Sequence, residues 1–120
     1  LNCRIRDFRV QFHDGGLVVD DPAAARVERN TDALLELFAA SGTRATFFVL
    51  GVVAARHPHL VRRIAAAGHE IGSHGHAHAH LSRMLWREFH ADVTRARAVL
   101  EDALGAPVHG YRAPYFAIPA

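Results

Sequence analysis

The sequence predicts an α/β fold in which parallel strands alternate with helices, as in a parallel sheet or a (β/α) barrel. The chain has 120 residues, of which 50% are hydrophobic and 22% charged. This balance is typical of one globular domain with its own core. Residues 45–50 form a continuous β-branched and aromatic run, which indicates a strand buried on both faces. Amphipathic helical segments lie on either side of it, an order typical of βαβ units.

The first 29 residues leave two interpretations open. A turn sequence, Asp14-Gly15-Gly16, lies between two short runs, 10–13 (VQFH) and 17–19 (LVV), and it favours a β-hairpin. Either run is equally compatible with the first strand of a barrel.

The next segment predicts a helix followed by the buried strand. Asn30 or Thr31 is the expected N-cap of a helix that runs to Ala40, and Gly42 lies just past its end. The expected buried side of this helix consists of Leu34, Leu35, Leu37 and Phe38.

Beyond that strand, the sequence predicts two more helices separated by a short strand. Pro58 opens a helix that runs through Ala67, and residues 69–74 indicate a strand that enters a loop. A longer helix follows Ser82, and residues 108–111 suggest another strand. Residues spaced three or four apart give the long helix an apolar stripe: Leu85, Phe89, Val93, Ala96, Leu100 and Leu104.

Composition excludes several classes of function. All 14 basic side chains are Arg, and they are scattered against 12 acidic ones, whereas a nucleic-acid-binding protein concentrates its positive charge on one face. The apolar run at 45–55 is shorter than the roughly 18 residues of a membrane span. A single Cys3 forms no internal disulfide. Because the chain lacks an initial Met and an apolar signal core, we expect a fragment, and the compartment stays open.

Histidine is the unusual residue, with 10 copies in the chain. Four of them alternate at His74, His76, His78 and His80. Imidazole is the commonest protein ligand for zinc-like ions, and His74 and His78, four apart, lie on one side of a turn. A carboxylate and a water would complete a catalytic metal site. Alternatively, the tract is a solvated loop or an adventitious metal-binding sequence.

Three segments in order resemble the polysaccharide deacetylase family: residues 44–51 (RATFFVLG), 67–75 (AGHEIGSHG) and 110–114 (GYRAP). Residues 26–31 (RVERNT) further resemble the branch associated with exopolysaccharide and exosortase gene clusters. The resemblance covers about residues 26–118, and residues 1–25 match poorly. It implies that residues 1–120 form an incomplete domain, a distorted (β/α) barrel whose C-terminal part is missing.

The resemblance also implies a function, a metal-dependent hydrolase that removes N-acetyl groups from a polysaccharide. It implies a divalent ion, zinc first, and an exopolysaccharide or peptidoglycan-like substrate. His74 and His78 match the family's two metal-binding histidines, and Arg112 matches the Arg that orients the catalytic base. Pro114 and Tyr115 are the implied substrate-binding residues. His76 and His80 are then loop residues, and Trp86 and Phe89 are expected in the core rather than on a sugar-binding surface. The other histidines are expected at the surface or in packing: His57, His59, His69, His90 and His109.

The family's acidic motif is not intact, so its residues have two candidate positions. Asp20 as the base and Asp21 as a metal ligand follow an apolar run, but the usual Gly is absent after them. Asp14 is the alternative ligand, and it keeps the following Gly but has His13 in the position of the base. A third interpretation is that either pair merely occupies a turn.

Two other functions remain compatible with this sequence. The broken acidic motif favours a non-catalytic domain that keeps the fold and binds metal or glycan. The short chain favours an inactive truncated product.

Overall fold

The computed structural model describes residues 21–118, and its account of side chains begins at residue 26. The chain divides into two compact units between Ala45 and Thr46. The hairpin predicted around Asp14 lies outside the described residues. None of the helices between residues 21 and 118 combines the length and the apolar character needed to span a membrane.

The first unit contains helix α1, Asp21–Ser41, which begins well before the expected cap. The prediction of an N-cap at Asn30 or Thr31 is wrong. Residues 21–26 (DPAAAR) place a proline in the first turn, where its missing N–H costs nothing. Three alanines, the strongest helix formers, then carry the helix forward.

The buried face of α1 differs in part from the predicted one. Val27, Thr31 and Phe38 are buried, and their spacing follows one face of a helix. Leu37, expected in the core, is 60% exposed, because it lies next to Phe38 in sequence and therefore points away from that face.

The second unit is built on two parallel strands, β1 (Thr46–Val49) and β2 (Glu70–Ser73). Thr46 pairs with Glu70, and Val49 pairs with Ser73, so the first two predicted strands are confirmed. The third predicted strand is reduced to one parallel bridge between Ser73 and Tyr111. It does not continue, because a 3₁₀ turn begins at Pro114, a residue without an N–H donor.

Three helices connect and cover these strands: α2 (Gly51–Arg56), α3 (Pro58–Ala66) and α4 (Trp86–Leu104). The start of α3 at Pro58 confirms the prediction. Helix α2 was not predicted, because residues 51–55 continue the apolar run of β1 without a break. A 3₁₀ turn, Leu81–Arg83, precedes α4.

Helix α4 supplies much of the core, but only from its later turns. It packs against α2 and α3, and Ala96 and Leu100 are fully buried. Leu85 and Trp86, expected in the apolar stripe and the core, are 67% and 73% exposed. Both expectations are wrong, because the two residues lie where the helix begins and its stripe reaches the core only further along.

The ends of α4 are fixed by local hydrogen bonds. The Glu88 carboxylate accepts the N–H of Leu85 at 2.7 Å, which satisfies a donor at the first turn. Gly105 ends the helix in the left-handed region at φ 73°, and its N–H donates to the Glu101 carbonyl at 2.8 Å. Glycine adopts this conformation without strain.

Candidate metal-binding site

The site lies in the loop that follows the end of β2, and residues 74–78 are called the ligand loop below. The His74 N–H donates to the Val49 carbonyl at 3.0 Å, which ties the start of the loop to β1. The rings of His74 and His78 lie edge to face with their centroids 5.0 Å apart. The structure therefore brings together the two histidines that the sequence singled out.

A hydrogen bond fixes the tautomer of His74. Its Nδ1 lies 2.7 Å from the Arg112 carbonyl oxygen, and because a carbonyl only accepts, Nδ1 carries the proton. The lone pair of this neutral ring is then on Nε2. Metal-binding histidines commonly donate their other N–H in this way.

Electrostatics favour the neutral form of His74. Burial lowers the pKa of its imidazole below the ordinary value of 6.5, the hydrogen bond to the Arg112 carbonyl opposes this shift, and the charge of Arg112 adds to it. A neutral imidazole is the form that binds a metal.

Two adjacent imidazoles suit zinc or a similar divalent ion. Among the side chains that the structure describes, no third imidazole, thiolate or carboxylate lies within reach of the pair. Asp14, Asp20 and His13 lie outside the described residues. For Asp21 only the backbone is described, as the first residue of α1. The acidic members of the site therefore stay predictions.

Tyr115 lies between two histidines of the tract. Its ring is 4.7 Å edge-on from His78 and 5.2 Å from His80, with which it stacks. His80 is held in turn by Ser82, whose Oγ is 2.7 Å from Nδ1. His78 and Tyr115 both have positive φ, 59° and 58°, and non-glycine residues held in that region are typical of functional sites.

Exposure separates the two predicted substrate-binding residues. Tyr115 is 39% exposed beside a candidate ligand, so its ring is accessible to a sugar. Pro114 is less than 2% exposed, and its Cγ lies 3.8 Å from the place a Cβ would take at Gly75. Its side chain supports the ligand loop, and its assignment to the substrate groove stays a prediction.

The Arg112 side chain packs over aromatic rings. Its guanidinium carbon is 4.4 Å from the centroid of Phe48 and 6.0 Å from that of Phe116, within the range of cation–π attraction. The Phe48 ring lies across β2 because Gly72 has no side chain, since a Cβ there would be 2.6 Å from the ring. The sequence showed this glycine but not its role. The base that Arg112 is expected to orient, Asp20, lies outside the described residues.

The His76 ring has a neighbour that the pair does not share, Gly51 at the start of α2. A Cβ on Gly51 would collide with its Nδ1, so the ring packs against the start of α2. Burial lowers the pKa of His76, the charge of Arg95 lowers it further, and Asp92 opposes both. His76 and His80 both lie in loops, as predicted.

The remaining histidines also lie where the sequence placed them. His69 is buried and its ring is 5.3 Å from Phe47, while His59, His90 and His109 are exposed. A cavity of about 210 Å³ lies at the opposite end of β2 from the ligand loop. Its lining is formed by Ala65, His69, Glu70, Ile71, Leu104, Pro107 and His109.

We expect Tyr111→Phe to stabilise the fold by about 1 kcal/mol, because it removes a buried hydroxyl that lacks a hydrogen-bond partner among the described residues. Burial raises the pKa of Tyr111 above 10.0, and Asp92 raises it further. The unfolded chain therefore loses this proton first as the pH rises. The titration of Tyr111 therefore leaves the free energy of unfolding unchanged below about pH 10 and lowers it above that pH. This decline disappears in the variant.

Denaturant unfolding at neutral and alkaline pH measures both effects. Tyr115→Phe, at a more exposed tyrosine, is the matched control and leaves the stability nearly unchanged. A loss of stability in Tyr111→Phe at neutral pH contradicts the interpretation that its hydroxyl is unsatisfied.

Comparison with known proteins identifies the family that the sequence motifs resemble. The family profile for polysaccharide deacetylase matches residues 12–120. The chain therefore belongs to the polysaccharide deacetylase family. Its fold is the partial (β/α) barrel of that family, with β1, β2 and the Tyr111 bridge as successive parallel elements.

Particular relatives are deacetylases by name. The chain is 38% identical over 86 residues to a chitooligosaccharide deacetylase of Bradyrhizobium, covering 71% of this chain and 39% of that protein. It is 32% identical over 85 residues to a peptidoglycan-N-acetylglucosamine deacetylase of Bacillus cereus, covering 71% and 31% respectively.

A solved structure has a similar fold. The family 4 carbohydrate esterase of Streptomyces lividans, solved in complex with acetate, superimposes with a TM-score of 0.72 at 29% identity. The match covers 74% of this chain and 46% of that one. The chain thus spans less than half the length of these relatives.

Proposed function

We propose that the whole protein carrying this chain is a metal-dependent polysaccharide deacetylase. It hydrolyses the amide C–N bond of an N-acetylated sugar unit and releases acetate. The observation that carries the proposal is the pair of adjacent rings, His74 and His78. Because Nδ1 of His74 donates a hydrogen bond to the Arg112 carbonyl, its Nε2 has the lone pair that can bind a metal. The names of the relatives support an N-acetylated glycan as substrate.

In this proposal His74 and His78 hold a divalent ion, zinc first, and Asp21 or Asp14 supplies the third ligand. A bound zinc lowers the pKa of its water and polarises the substrate carbonyl. The Arg112 backbone holds the His74 ring in the orientation and tautomer that binding needs.

Proton transfer is assigned to the acidic motif. Asp20 takes the proton of the attacking water, and the Arg112 side chain orients that carboxylate. The exposed ring of Tyr115 contacts the sugar beside the metal ligands. The likeness of residues 26–31 to the exopolysaccharide branch favours an exopolysaccharide over a cell-wall glycan.

The test is acetate release by the whole protein from N-acetylated polysaccharide, chitooligosaccharide and peptidoglycan. We expect activity that a chelator removes and added Zn²⁺ restores, because without the ion the proposed mechanism has no group that lowers the pKa of the attacking water. Chelator-insensitive release contradicts the metal mechanism. Binding of metal and glycan without acetate release supports the non-catalytic alternative instead.

A further inference from the structure

The loop that joins the two candidate ligands is held by hydrogen bonds to two helices. On one side, the N–H groups of Gly51 and Val52 at the start of α2 donate to the carbonyls of Gly75 and His76, at 2.9 and 3.0 Å. These are donors that a first helical turn leaves without internal partners. The ligand loop thus has a fixed backbone on its α2 side.

On the other side, α4 contributes a single carboxylate. Asp92 Oδ2 accepts the N–H of His76 at 3.1 Å, and His76 is the central residue of the ligand loop, two positions from each ligand. The Asp92 side chain is partly buried. A carboxylate that accepts a backbone N–H there makes a charge-assisted, directional contact.

The same oxygen also shapes the turn at Gly75. Gly75 has φ 78°, and a Cβ there would lie 3.0 Å from Asp92 Oδ2. The carboxylate therefore occupies the space that a side chain at position 75 would need. The same carboxylate oxygen thus accepts the His76 N–H and fills the space beside Gly75.

We propose that Asp92 is a positioning residue for the metal-binding pair. Its carboxylate fixes the backbone of Gly75 and His76 and so sets the separation and orientation of the His74 and His78 rings. The inference rests on the proposed function, since it assumes that these two rings bind the metal. Groups that support bound ligands from outside change metal affinity by about 10–100-fold when removed.

The test measures Co²⁺ and Zn²⁺ affinity of the whole protein, together with the visible spectrum of bound Co²⁺. We expect Asp92→Ala to weaken affinity by about 10–100-fold and to alter the Co²⁺ spectrum, because the angle between the rings is no longer held. Asp92→Asn keeps an oxygen acceptor of the same shape, so it restores both affinity and spectrum. Asp102→Ala, at an exposed acidic residue of the same helix, is the matched control and changes neither.

Two results overturn the inference. One is wild-type affinity and spectrum in Asp92→Ala. The other is an Asp92→Asn variant as impaired as Asp92→Ala, which would mean that the negative charge matters and the contact geometry does not. Should Asp92→Ala fail to fold by circular dichroism, Asp92→Leu, which has a similar size but no acceptor, takes its place: weakened affinity with an altered spectrum supports the inference, and wild-type values overturn it. A wild-type protein whose Co²⁺ binding does not depend on His74 and His78 refutes the proposed function instead.

Discussion

Replacing His74 and His78 together with alanine is expected to abolish zinc binding and to lower acetate release on the order of 10³-fold. The two rings are the only described ligand candidates that lie together at the end of β2, with centroids 5.0 Å apart. A carboxylate alone does not retain a zinc ion at a catalytic position. Metal content of the purified variant and its acetate release measure the two effects.

The matched control is His109→Ala, which removes an exposed imidazole at the other end of the strands. It should keep the metal content and activity of the wild type. Each single variant, His74→Ala or His78→Ala, should bind zinc more weakly than the wild type, because one of the two imidazole ligands remains. Full zinc occupancy in the double variant would place the metal elsewhere and remove the basis of the proposed mechanism.

Arg112→Lys is expected to lower kcat on the order of 10²-fold while zinc affinity stays unchanged. The side chain and the backbone of Arg112 have separate contacts. The guanidinium stacks on Phe48, whereas the carbonyl accepts the His74 Nδ1–H and the N–H donates to Ser73. Lysine keeps the backbone and the charge but loses the flat, multi-donor group that orients a carboxylate.

Steady-state kinetics and zinc titration of the same preparations test this separation. Arg87→Lys, at an exposed arginine of α4, is the matched control and keeps the wild-type kcat. Loss of zinc from Arg112→Lys would show that the side chain acts through the His74 contact. An unchanged kcat would confine the side chain to packing on Phe48.

Local pattern predicted β1, β2 and the start of α3, because those segments carry signals in their own residues. A continuous apolar run marked β1, and Pro58 marked the first turn of α3. The pattern did not predict element boundaries where the residues of one element continue into the next. The apolar residues of α2 continue those of β1, so no boundary was visible between them. The alanines after Asp21 let α1 begin about two turns before the expected cap.

The candidate site was predicted to the level of residue types but not of contacts. The spacing of His74 and His78 and the family motif identified the pair. The packing of His76 against the start of α2 was not visible in a tract where four histidines alternate, because a strand would have turned all four the same way. The loop turns instead at Gly75, and its backbone is held by α2 and Asp92.

The sequence by itself determined the family, the parallel α/β order and the two candidate ligands, since each depends on residues close together in the chain. The tertiary structure alone decided which nitrogen of His74 keeps its lone pair, because that depends on a carbonyl 38 residues away. It also decided that Arg112 packs on Phe48 and that Tyr115 lies between His78 and His80. The physical reason is that hydrogen bonds and ring contacts between distant segments form only when the strands are side by side, and no local periodicity records them.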